Sequence, residues 1–191
     1  MHTRLATEHD VPAITAITNQ SIATSFAHFA TCPIAVEDDL ADFRQNHAML
    51  PWVVAVEEDE NGKAQCIGYA RSSKWKSRCA YDWAVELGVY VHPDHHRKGI
   101  AKALYTQTLT ILKAQNYRTA IGGIALPNEP SVRLHESMGF KKAGVFEHVG
   151  YKMNAWRSVG YWQLHLVDDL DPPKQVLSVA DACAQLDMRS V

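Results

Sequence analysis

The sequence predicts an α+β fold of three layers, a central mixed, mostly antiparallel sheet flanked by helices. Three observations carry this. Two helical patterns stand near the front of the chain, a run of apolar strand patterns joined by polar segments follows, and then a strand, a long amphipathic helix and another strand come in succession. The middle run implies an antiparallel meander, and the succession implies a crossover that sets two strands parallel.

Each element follows from its residues. Thr3 to Ala6 reads as a short first strand. Asp10 is placed to cap the next helix, with Pro12 in its first turn and Val11, Ile14 and Ile17 inward at helical spacing. A second helix is expected over Val36 to His47, before the buried strand Trp52-Val53-Val54-Ala55-Val56. Glu60-Asn61-Gly62-Lys63 reads as a hairpin turn, Ile67 to Ala70 as the partner strand, and Val85 to Val91 as the strand after it.

The helix over 99–115 presents Ile100, Leu104, Leu109, Ile111 and Leu112 on one face and stops at Gln115-Asn116. Thr119 to Ile124 reads as a strand, Ser131 to Met138 as a short helix ended by Gly139-Phe140, and 141–151 and 160–166 as closing strands. Residues 1–170 are expected to form one domain, with 171–191 a tail holding at most one helix and no assigned role.

Composition narrows the partners. Among 191 residues, 19 Lys and Arg face 21 Asp and Glu, a formal charge of -2 with no basic run. Nucleic acid and anionic membrane therefore have no electrostatic claim, and a small-molecule partner is expected. Cys32, Cys66, Cys79 and Cys183 form no C-x-x-C pair, so they read as four buried free thiols rather than a zinc site or disulfide framework. The N-terminal residues lack a signal pattern and no apolar run matches a bilayer, so a cytoplasmic location is expected.

The most informative segment is His96-Arg97-Lys98-Gly99-Ile100-Ala101, between the strand ending Val89-Tyr90-Val91 and the long helix. A strand that turns through small residues into a helix N-terminus presents unpaired backbone N–H groups and a positive dipole end, which together bind phosphate. Gly99 lets the backbone approach an anion with no β-carbon in the way. His92, Asp94, His95 and His96 raise a metal reading, but Pro93 among them favours an exposed turn, and no metal is expected.

This segment resembles the pyrophosphate motif Gln/Arg-x-x-Gly-x-Gly/Ala of the Gcn5-related N-acetyltransferases (GNAT), with His96 departing at the first position. Further blocks resemble one branch, the phosphinothricin and methionine sulfoximine N-acetyltransferases. They are Trp75-Lys76-Ser77-Arg78, Ala80-Tyr81-Asp82-Trp83, Val85-Glu86, Leu126-Pro127-Asn128-Glu129-Pro130-Ser131-Val132-Arg133-Leu134-His135-Glu136, Gly139-Phe140 and Val159-Gly160-Tyr161-Trp162-Gln163. The resemblance runs from about residue 3 to residue 166. It implies a GNAT acyl-CoA N-acyltransferase fold and metal-free transfer of an acetyl group from acetyl-CoA to the α-amine of a small amino acid analogue, within a homodimer.

Such chemistry needs a base for the amine, stabilisation of an oxyanion and a proton for the thiolate. The resemblance implies Glu86 as the base, although alternation alone also allows a solvent-facing strand residue. It implies that the pantetheine arm lies along Val89, Tyr90 and Val91 as an added strand, and that Arg97, Lys98, Gly99, Ile100, Ala101 and Lys102 surround the pyrophosphate. Asn128 and Ser131 would face the cofactor, yet both also suit the start of a helix. His135 stands where related enzymes place an acid near the sulfur; a packed core histidine is the equal alternative.

Lys76, Arg78 and Tyr81 are implied for the substrate, with Phe29 as an apolar wall, since a guanidinium clamps a carboxylate or phosphinate through paired hydrogen bonds. Trp75 and Trp83 read as packing residues. The cations favour an acidic acceptor over a polyamine, while peptide N-terminal acetylation and a non-catalytic acyl-CoA binding module stay open as rivals.

Overall fold

The structure, a computed structural model, describes residues 1–58, 64–167 and 172–186. In chain order its elements are β1 (His2–Leu5), α1 (Val11–Thr24), α2 (Val36–Asn46), β2 (Trp52–Glu58), β3 (Ala64–Lys74), β4 (Ala84–Val91), α3 (Ile100–Ala114), β5 (Thr119–Leu126), α4 (Glu129–Ser137), β6 (Lys141–Lys152), β7 (Ala155–His165) and α5 (Val179–Gln185). The strands form one sheet in the order β1-β2-β3-β4-β5-β7-β6. Among the described strands only the β4–β5 pair is parallel, bridged by α3, so the expected meander and crossover are both present. The turn expected at 60–63 lies outside the described residues.

The apolar run of β2 is buried throughout because helices cover both faces of the sheet. Val53 and Ala55 pack with Leu104, Ile111 and Leu112 of α3, while Trp52, Val54 and Val56 pack with Val11, Ile14, Ile17 and Phe43 of α1 and α2. Each fully buried Leu, Ile or Val contributes about 1.5–3 kcal/mol through removal from water. Alternation along β4 follows the same division. Val85 and Leu87 are buried on the α3 side, leaving Glu86 and Tyr90 toward α1.

Three expectations are corrected. Asp10 does not cap α1; its carboxylate accepts from Arg4 Nη1 and Nη2 at 2.7 and 2.8 Å and from the Thr7 amide at 2.8 Å. A bidentate guanidinium from β1 outcompetes a helix amide. The cysteines are not uniformly buried: Cys32 and Cys79 are exposed in connections that no layer covers, and Cys66 and Cys183 are partly covered. β7 starts at Ala155, earlier than expected, because Met153 and Asn154 both take the left-handed conformation, with φ of 52° and 56°, and close a tight hairpin.

Beyond 171, the described tail is stitched to the core. Gln115 Nε2 donates to Leu177 O and Met49 O, Trp83 Nε1 donates to Lys174 O, and Val179 and Ala182 are buried. Among the described residues no helix is long and apolar enough to cross a membrane.

Candidate active site

The site begins where the sheet divides. β4 pairs with β5 only from Ala84 to Leu87, opposite Thr119 to Gly122. Beyond that point Gly88 to Val91 stay paired with β3 and Gly123 to Leu126 stay paired with β7, so a gap opens between the two strands. The His92 amide donates to Ile67 O on β3. Strand alternation then turns the main chain of Val89 and Val91 toward the gap and that of Tyr90 toward β3. Tyr90 therefore presents its ring rather than its backbone, stacked near Tyr69 at 5.6 Å.

At the end of β4 the chain makes a tight turn over Pro93–His95 and enters α3 through Arg97 and Gly99, both left-handed, with φ of 63° and 78°. Successive reversals of this kind turn neighbouring N–H groups to one side. No side chain caps α3, and nothing lies within 4 Å of the place a β-carbon on Gly99 would take. Arg97, Lys98 and Lys102 are exposed around it, whereas the Ile100 side chain is buried and can contribute only its backbone. These features fit a diphosphate held mainly by amides. His96, at the departing position, donates from Nε2 to Val91 O at 2.9 Å and so ties the loop to the strand end.

Glu86 is half-buried on β4, beside Ser73 on β3 and Ile121 on β5. Burial raises its carboxyl above the usual range, and the Lys76 ammonium draws it part of the way back. Across the divide, Gly123 leaves room: a β-carbon there would come within 3.0 Å of Glu86 Oε1 and 3.4 Å of the Tyr161 ring. Tyr161 also has its phenol raised by burial and by Glu86, and Trp75 meets it edge-on at 5.4 Å.

Lys76, Arg78 and Tyr81 all sit on the exposed connection between β3 and β4 that starts next to Glu86. Lys76 rests its ammonium 4.6 Å over the Trp75 ring. Phe29 belongs to the connection between α1 and α2 and lies against Gly150 of β6, where an added β-carbon would meet its ring at 2.2 Å.

Asn128 caps α4, its Oδ1 accepting from the Ser131 amide at 3.3 Å, so its side chain has the structural role open to it. His135 lies in the core. It is 3% exposed beneath Gly122, Nδ1 donates to Ser131 O at 2.8 Å, and Nε2 accepts from the Tyr105 hydroxyl at 3.1 Å. Burial lowers its proton affinity, which favours the packed neutral ring over a proton donor to a thiolate. The histidines before α3 have acidic neighbours: His95 Nδ1 is 3.4 Å from Glu57 and His92 Nδ1 is 3.7 Å from Asp94.

Sequence reasoning gave no role to Tyr161, His28, Lys152 or Arg157. Alternation along β7 puts Arg157, Val159 and Tyr161 on one face, a signal available only once the early start of that strand is known.

Comparison with known proteins agrees with this geometry. Residues 18–140 match the model of the acetyltransferase (GNAT) family. The chain is 41% identical to a phosphinothricin N-acetyltransferase of Streptomyces viridochromogenes, over 84% of this chain and 85% of the relative. It is 31% identical to an L-methionine sulfoximine/L-methionine sulfone acetyltransferase of Salmonella typhimurium, over 90% and 98%. The crystal structure of a phosphinothricin acetyltransferase from Sinorhizobium meliloti in complex with acetyl-CoA superposes with a TM-score of 0.82 at 30% identity, covering 90% of this chain and 92% of that one. A divided sheet, an amide-lined loop at its edge and these matches lead to one conclusion: the chain belongs to the GNAT acetyltransferase family.

Proposed function

We propose that the protein acetylates the α-amine of a small amino acid analogue, with methionine sulfoximine, methionine sulfone and phosphinothricin as acceptors and acetyl-CoA as donor. One observation carries the reading: the half-buried Glu86 carboxyl stands at the fork of the sheet, and the strand bearing it runs directly into the amide-lined loop at Gly99. The acetyltransferases named above supply the acceptor class.

Acetyl-CoA supplies an activated thioester. The N–H groups from Arg97 to Lys102 hold its diphosphate, with the exposed cations adding charge. The gap-facing main chain of Val89 and the amide of Val91, whose carbonyl His96 already holds, bind the pantetheine arm as an added strand, with Ser131 at the start of α4 as a further contact. Glu86 takes the proton from the acceptor ammonium, directly or through a water, which its raised proton affinity suits it to do near neutral pH. Lys76 and Arg78 attract the acceptor's acidic groups, with Tyr81 and Phe29 as walls.

The protein acts as a homodimer in this reading. β6 is an edge strand whose Phe146 and Val149 are 61% and 53% exposed, and Trp156 on β7 is 62% exposed, an apolar edge that a second copy would cover.

Purified protein incubated with acetyl-CoA and each acceptor should release free thiol with at least one of them. Release with none, while calorimetry shows CoA binding, would replace the enzyme by a non-catalytic acyl-CoA binding module.

A further inference from the structure

Residues 25–35 connect α1 to α2, and 26–29 among them touch both β4 and the β6–β7 hairpin, which lie on either side of β5 in the sheet order. Its first half meets β4, where the His28 ring lies 5.6 Å from that of Tyr90. The same stretch also meets the β6–β7 hairpin. There Lys152, only 8% exposed, donates from Nζ to Ile22 O at 2.8 Å and to His28 O at 2.7 Å. Arg157 lays its guanidinium 4.2 Å over the Phe26 ring, and Gly150 leaves the space that the Phe29 ring fills.

We propose that Lys152 is a positioning residue that latches the 25–30 segment between β4 and the β6–β7 hairpin and thereby sets the acceptor wall formed by Phe29. This rests on the acceptor reading given above. With no carboxylate paired to it among the described residues, the buried ammonium takes two main-chain carbonyls, Ile22 O near the end of α1 and His28 O in the connection that follows, and so ties the connection to the helix it leaves. The lysine thus fixes backbone, not a neighbouring side chain. Its site lies away from the diphosphate loop and from Glu86 in the chain and in the sheet order, so its loss reaches the acceptor without touching the donor.

Lys152→Met, which keeps the aliphatic stem, should raise the acceptor KM about ten-fold while leaving the acetyl-CoA KM and kcat within about two-fold. Lys152→Arg, able to reach both carbonyls, should recover most of the loss. Amide hydrogen exchange over 25–35 should quicken about ten-fold in Lys152→Met and stay near the parent rate in Lys152→Arg. An unchanged acceptor KM in folded Lys152→Met overturns the proposal. Should that variant fail to fold, Gly150→Ala decides with the lysine intact, because its methyl displaces the Phe29 ring; an unaltered acceptor KM there also overturns it. A parent enzyme with no turnover on any amino acid would refute the acceptor reading instead, and unchanged exchange in Lys152→Met would then still refute the latch.

Discussion

The carboxylate of Glu86 stands against the bare backbone of Gly123, with Oε1 3.0 Å from the point where a β-carbon on that glycine would sit. The missing side chain keeps one side of the carboxyl open at the fork while burial on the others raises its proton affinity. A half-buried base with one open side is what proton transfer from a bound ammonium requires.

Replacing Glu86 by Gln should lower kcat about 10²- to 10⁴-fold near neutral pH. The parent rate should rise with pH along a limb lying above the ordinary value of 4.5, and the variant should lack that limb. Stability moves the opposite way. The folded-state value is raised, so the protonated carboxyl is favoured below 4.5 in both states, and ionisation in its half-buried place costs stability as pH climbs through the raised value. Melting curves should therefore show Glu86→Gln gaining on the parent at neutral pH and losing that advantage in acid.

Lys76→Met removes the charge that draws the Glu86 carboxyl downward. The acid limb of the rate profile should move to higher pH, and the acceptor KM should rise. A limb that stays in place would separate Lys76 from Glu86.

At Gly99 the backbone has φ of 78°, which a β-branched residue resists whatever the surrounding space. Gly99→Val should raise the acetyl-CoA KM about ten-fold and leave the acceptor KM near the parent value, measured by thiol release at fixed second substrate.

A methyl on Gly122 would come within 2.3 Å of His135 Nε2, in a core where Tyr105 and Phe140 leave the ring no retreat. Gly122→Ala should destabilise the fold by roughly 1–3 kcal/mol in denaturant titration. No loss would mean that His135 can swing out of its packed position.

If a second copy covers the β6 edge, sedimentation should find the parent dimeric and the pair Phe146→Lys with Trp156→Lys monomeric. A monomeric parent removes the dimer from the account.

Much of this was legible from residue order alone because the signals are local. The all-apolar β2, the helical spacing of Ile100, Leu104, Ile111 and Leu112, and the small-residue turn at Gly99 each depend on neighbours within a few positions. The left-handed pair Met153-Asn154 gives only a weak signal, because Asn tolerates that conformation but Met does not favour it, unlike Asn-Gly. The early start of β7 depends on that pair, and with it the placement of Arg157 on the strand.

By itself, then, the amino-acid order determined the layers, the phosphate-ready turn and the carboxyl on the strand before it, since backbone preference and apolar period act over short range. Tertiary structure alone decided that β4 parts from β5 after Leu87, that His135 is sealed beneath Gly122, and that Lys152 reaches carbonyls far behind it in the chain. These depend on which surfaces meet after the sheet has formed, and the free energy of such meetings belongs to pairs of distant segments rather than to either one.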